Sequence, residues 1–173
     1  HGQVSWTLRP LDAALMHQAA QFLCGEHDFS SFRAAGCQSR SPIRFLEAIE
    51  VTRKGDFVVI DVQANAFLHH MVRNIAGALM SVGTGKQRPE WIREILEARD
   101  RTVAGVTAPP HGLYLVDVGY PDGFSIPARN AGQRSLHPGL RLMKTDHAVR
   151  LTYTENSDRR LMRTRDKICG IAR

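Results

Sequence analysis

The sequence has no long apolar run. No stretch approaches the ~18 consecutive apolar residues of a membrane-crossing helix, so we expect no membrane partner. Cysteine is scarce as well: Cys24, Cys37 and Cys169 are the three in 173 residues. An odd number without metal-type spacing argues against a disulfide scaffold and for reduced thiols. The chain opens on His1-Gly2-Gln3-Val4, with neither an initiator Met nor the basic-then-apolar layout of a signal peptide. We therefore expect a cytoplasmic protein whose first residue falls inside a longer reading frame.

What is present suffices for one domain with a real core, since 43% of the residues are hydrophobic. The net charge of +6 invites a nucleic-acid partner, but its distribution qualifies the idea. Residues 124–173 hold 11 Lys+Arg against 4 Asp+Glu, which leaves 12 basic and 13 acidic groups in residues 1–123. Any RNA site in the first 123 residues must then rest on local geometry rather than bulk charge.

Hydrophobic periodicity outlines the elements. Asp12 is placed to cap a helix over about 12–24, with Leu15, Ala19 and Phe22 as its stripe and Gly25 as its stop. Ile43, Phe45, Ile49 and Val51 alternate, with Glu47 interrupting the face. Val58, Ile60, Val62 and Ala64 alternate without a break, and Arg53-Lys54-Gly55-Asp56 between the two runs reads as the turn of a β-hairpin. Leu68, Met71, Val72, Ile75, Leu79 and Val82 recur at the spacing of an amphipathic helix that ends near Gly83 or Gly85. Pro89 suits the first turn of another helix, striped by Trp91, Ile92, Ile95 and Leu96, and Leu113, Leu115 and Val118 suggest a last strand. The class these elements predict is α+β, an antiparallel sheet with helices packed on it. After Pro127 we see no sustained period.

On a helical wheel Arg73, His70, Gly77 and Asn74 fall opposite the apolar stripe of the 68–82 helix. Such a face is ordinarily solvated. Gly77, however, permits close approach by another backbone, and Arg73 is the helix's only charge, so a covered face stays open as an alternative. His69 and His70 are adjacent rather than at i, i+4, and no Cys, Asp or Glu stands at ligand spacing, so no metal is expected. In the 29–41 loop, Phe29 and Phe32 could stack on bases and Arg33 and Arg40 could meet phosphates. The alternative is a loop whose two Phe anchor it in the core. Tyr114 is open in the same way, as a base platform or as a packed strand residue.

Four features together are more specific. FLCGEHDFSSFRAAGCQSRSP (22–42), VQANAFLHHMVRNIAGALMSVG (62–83), RTVAGVTAPPHGLYLVDVGYP (101–121) and their spacing closely resemble the C-terminal half of the bacterial tRNA pseudouridine synthase A family, nearly continuously from about residue 9 to 127. The resemblance implies a pseudouridine-synthase-like C-terminal domain over 1–127, with 128–173 a basic, poorly ordered tail outside it. It implies an isomerase that converts uridine to pseudouridine in the tRNA anticodon stem-loop, at tRNA positions 38, 39 and 40, as a homodimer and without cofactor or metal. A nucleophilic Asp attacks a uridine flipped into the pocket.

By the same resemblance, Arg73 pairs with that Asp and Leu113 packs under the pocket. Phe32, Arg33, Arg40, His69, His70 and Asn74 would face RNA, and Phe67, Met71, Gly77 and Tyr114 would support the pocket. The family's Gly-Arg-Thr-Asp-Ala-Gly motif, which holds the nucleophile, does not occur in these residues, nor does its active-site Tyr. The chain by itself is therefore expected to be inactive. Two other functions remain in view: a non-catalytic RNA-binding module that relies on the basic tail, and a truncated product with no function of its own. Lys167-Ile168-Cys169-Gly170-Ile171 resembles the opening strand of phosphoribosylanthranilate isomerase, which would fit a read-through into a neighbouring gene.

Overall fold

The computed structural model describes residues 4–118 and, as backbone, residues 149–156. In chain order the regular elements are strand β1 (Ser5–Trp6), helix α1 (Ala13–Ala20), β2 (Gly25–Asp28), β3 (Ile43–Lys54), β4 (Phe57–Ala64), α2 (Met71–Gly83), α3 (Trp91–Ala98), β5 (Leu113–Val118) and β6 (Val149–Asn156). The class is α+β. One six-stranded sheet runs in the order β1-β6-β4-β3-β2, and β5 also pairs with β6. Every pairing is antiparallel except the short parallel contact of β1 with β6.

The hairpin is where alternation placed it. Lys54 pairs with Phe57 across Gly55-Asp56, and Gly55 adopts φ +58, a conformation that a two-residue turn needs and glycine accepts readily. The interruption at Glu47 is a bulge, because the register jumps between Leu46 and Ala48. Leu46 and Ile49 are three residues apart and both buried. In a period-2 strand only an extra residue lets both face the same core.

Asp12 does cap α1, accepting from the amides of Ala14 and Leu15 at 2.9 and 3.0 Å. The expected stripe needs correction. Leu15 is exposed, and the buried side is Met16, Ala19, Ala20 and Leu23. The helix also tightens into a 3-10 turn at Gln21–Leu23, which rotates Phe22 to the half-buried rim. Helix α2 starts at Met71, later than the periodicity suggested, so Leu68, His69 and His70 belong to the turn before it. A 13-residue helix is marginal alone. Ile75, Leu79 and Val82 hold it to a core shared with Val58, Ile60, Val62, Met16, Ile92 and Ile95.

The expected tail is not uniform: Val149–Asn156 form β6 inside the sheet. The signal was Val149, Leu151 and Tyr153 in alternation, a run too short to stand out in an Arg-rich stretch. The remainder of 128–173 lies outside the described residues, as does the Lys167–Ile171 resemblance. Among the described residues no helix is long and apolar enough to cross a membrane.

Candidate functional site

Three segments meet at the start of α2. The 33–41 loop is tied to the turn before the helix: the Ala34 amide donates to the His69 carbonyl at 3.1 Å, and the His69 amide donates to Cys37 Sγ at 3.4 Å. Segment 101–108 lies along the helix itself. Arg73 Nε donates to the Ala108 carbonyl at 2.8 Å, and the Ala108 amide returns a bond to the Arg73 carbonyl at 3.0 Å.

The face of α2 opposite the main core is therefore covered, not solvated. Asn74 is 1% exposed. Its Nδ2 donates to the Phe32 carbonyl at 2.7 Å, and its Oδ1 accepts from Thr107 Oγ1 at 2.7 Å and Arg101 Nη2 at 3.1 Å. A buried Asn bonded through both its amide nitrogen and its oxygen ties two loops to one helix. The close approach inferred from Gly77 has a specific cause. A Cβ built there would lie 1.9 Å from the Val106 carbonyl oxygen. Arg101 and Thr107 were missed from sequence, because no periodicity marks a loop residue that bonds to a helix some 30 positions earlier.

Arg73 is half-buried. Its Nε is held by Ala108, and no carboxylate among the described residues lies within ion-pair distance of it. The bond at Nε orients the guanidinium, and among the described residues its terminal nitrogens have no recorded bond, so an anion could reach them. His70, just before it, is the helix N-cap, with φ 59. A non-glycine residue in the left-handed region carries local strain, and such residues cluster at functional sites. The His69 and His70 rings lie 4.0 Å apart between centroids. Partial desolvation, then the charges of His69 and Arg73, hold His70 below the usual histidine value, so at neutral pH it adds little positive charge beside Arg73.

The remaining candidates divide. Arg40, His69, His70 and Tyr114 are exposed. Phe32 is fully buried, with its ring 6.1 Å from that of Phe29, which is also buried. The two Phe are core anchors, and neither can stack on a base in this arrangement. Arg33 Nη2 donates to the carbonyls of Cys37 and Ser39 at 2.8 and 2.7 Å, so this guanidinium shapes the loop. Met71 is buried in the core, and Phe67 and Leu113 pack against it half-buried. Leu113 opens β5, five residues after Ala108. The amides of His69 and Ser39, then Arg33, hold the Cys37 thiol below its ordinary value. Burial raises that of Cys24.

An open cavity of about 590 Å³ is lined by Pro10–Ala14, Arg53 and Gly83. Gly83 ends α2, ten residues from Arg73, or roughly 15 Å along the axis, so this cavity is not part of the Arg73 site.

A family model described as tRNA pseudouridine synthase matches residues 19–121. The chain belongs to this family. Among its relatives is a tRNA pseudouridine synthase A of Nitrosococcus oceani, 60% identical over 125 residues, which are 72% of this chain and 48% of the relative. That of Aliivibrio fischeri is 64% identical over 117 residues, 68% of this chain and 45% of the relative. That of Vibrio parahaemolyticus is 62% identical over 130 residues, 75% and 49%. The chain spans about half the length of these relatives. The family match contains all three segments that meet at α2, so the Arg73–Ala108 and Asn74 contacts lie within the region this family shares.

Proposed function

We propose that this chain forms one wall of a tRNA pseudouridine synthase active site, and that Arg73 pairs with a nucleophilic Asp supplied by the half of the family's length that the chain does not match. The observation that carries it is the state of Arg73: half-buried, fixed at Nε, and without a carboxylate partner among the described residues. A guanidinium so placed keeps a facing carboxylate ionised and aimed. The carboxylate would add to C1′ of a flipped-out uridine as the N1–C1′ bond breaks, the base would turn, and C5 would bond to C1′ with release of the carboxylate; C5 then loses its proton and N1 takes one up. This isomerisation needs no cofactor. Asn74, Arg101, Thr107 and Gly77 act as positioning residues. They hold the loop carbonyl that orients Arg73.

The relatives' name supports tRNA as the substrate class; from the sequence resemblance we extend the proposal to anticodon stem-loop positions 38, 39 and 40, in a cytoplasmic enzyme that is a homodimer when whole. Leu113 lines the floor of the pocket, and Arg40, His69 and His70 face the RNA.

The test is to join the chain to the unmatched half of the Nitrosococcus oceani relative and measure pseudouridine in tRNA. The joined protein is expected to be active and the chain alone inactive. Arg73→Ala should lower turnover about 100-fold or more while melting within a few degrees of the parent. Arg73→Lys should also be poor, because a point charge does not replace a planar fork. Near-parental activity in Arg73→Ala, or turnover by the chain alone, would refute the assignment.

A further inference from the structure

Strands β4 and β5 both lie within the family match, yet they do not pair with each other. Between them sits β6, which begins 28 residues after that match ends. It runs antiparallel to β4 over the whole strand, from Phe57↔Asn156 to Ala64↔Val149. On its other side it pairs with β5 from Leu113↔Tyr153 to Val118↔Val149, and it touches β1 at Glu155 and Asn156.

Take β6 away and a strand-wide gap remains. About half of the β4 backbone groups face that gap, as the antiparallel ladder requires. They belong to a strand whose Val58, Ile60 and Val62 are buried, so leaving them unpaired is costly. A family member without a strand equivalent to 149–156 must fill the gap from elsewhere. The matched relatives have about half of their length outside the match.

We infer that the space between β4 and β5 is a strand-acceptor slot for an extended segment of that other half, and that residues 149–156 occupy it in this chain as a stand-in. On one face the slot favours apolar residues at alternate positions, because Ala64, Val62 and Ile60 are buried and stand opposite Val149, Leu151 and Tyr153 in the register; Val59 and Asp61 on the other face are buried as well. Residues 149–156 therefore compete with the other half, and they must leave before it can dock. The inference rests on the chain acting as one half of a two-part enzyme.

The test uses the full chain carrying Leu151→Pro and Thr152→Pro. Neighbouring prolines remove ladder bonds on both sides of β6. Amide exchange over 57–64 should accelerate about tenfold or more while 71–83 stays protected. Overlapping 12-residue peptides covering the unmatched half of the Nitrosococcus oceani relative are then added. At least one should bind the proline variant about tenfold tighter than the parent and restore protection over 57–64. Unchanged exchange over 57–64, or a best peptide that binds both proteins equally, overturns the inference.

If the prolines unfold the chain, so that 71–83 also loses protection, the opposite variant decides. Glu155→Thr with Asn156→Val strengthens β6, since Glu and Asn are poor strand residues. It must capture the best peptide several-fold more weakly than the parent, and equal capture overturns the inference. The Arg73 variants change chemistry without changing exchange over 57–64, so the slot and the active-site assignment can fail separately.

Discussion

Gly77→Ala opposes two effects of similar size, and the structure says which wins. In a helix interior alanine is favoured over glycine by about 1 kcal/mol, so an exposed site would gain stability. Here the new Cβ would sit 1.9 Å from the Val106 carbonyl oxygen and 3.1 Å from the Ala108 nitrogen. Carbon and oxygen ordinarily approach to about 3.3–3.6 Å, so the loop must retreat by roughly 1.5 Å. Both bonds that fasten it to the helix, at 3.0 and 2.8 Å, would then pass beyond hydrogen-bonding range. The amide bond contributes about 1 kcal/mol, and the guanidinium bond about 1.5–3 kcal/mol, near the low end for a half-exposed group. Against the helix gain, the net loss is about 1–2 kcal/mol, or a fall in Tm of roughly 2–8 °C. Thermal unfolding gives the first number, and amide exchange at Ala108 shows whether the loop has lifted. A variant at least as stable as the parent, with Ala108 still protected, would refute the packing argument.

Asn74→Ala should destabilise the chain by about 2–3 kcal/mol in urea unfolding, because it strands the Phe32 carbonyl in the interior and frees Arg101 and Thr107. A change below about 0.5 kcal/mol would show that the buried network is not what ties the loops to α2. In a Cys169→Ser background, iodoacetamide at pH 7 should alkylate Cys37 several-fold faster than Cys24, since the lowered thiol holds more thiolate and the raised one less. The gap should narrow as pH rises and Cys24 ionises too; equal rates at pH 7 would contradict the assigned environments.

Legibility from sequence followed the range of the interactions. The hairpin was readable because alternation and a Gly-Asp turn are local, and even the bulge left a trace in Glu47 breaking the face. Helix α2 was readable in outline, but its start was not. The stripe continues through Leu68, and only the backbone places His70 in the left-handed conformation that delays the first turn. For Phe29 and Phe32 the sequence offered both a stacking surface and core anchors, and the packing decides for core, because exposure depends on what packs against a loop. Strand β6 escaped because three alternating residues in a basic stretch carry little signal, whereas β4 and β5 flanking it supply two ladders of backbone bonds.

Sequence alone determined the class, the hairpin, the family and the choice of Arg73 as the one charge on an otherwise uncharged helix. These rest on period, turn chemistry and long motifs, all of which survive without a third dimension. Tertiary structure decided how Arg73 is held. Its orientation depends on Ala108, Asn74, Arg101 and Thr107, which come together only when segment 101–108 lies on α2, and it can lie there because Gly77 has no side chain to push it away.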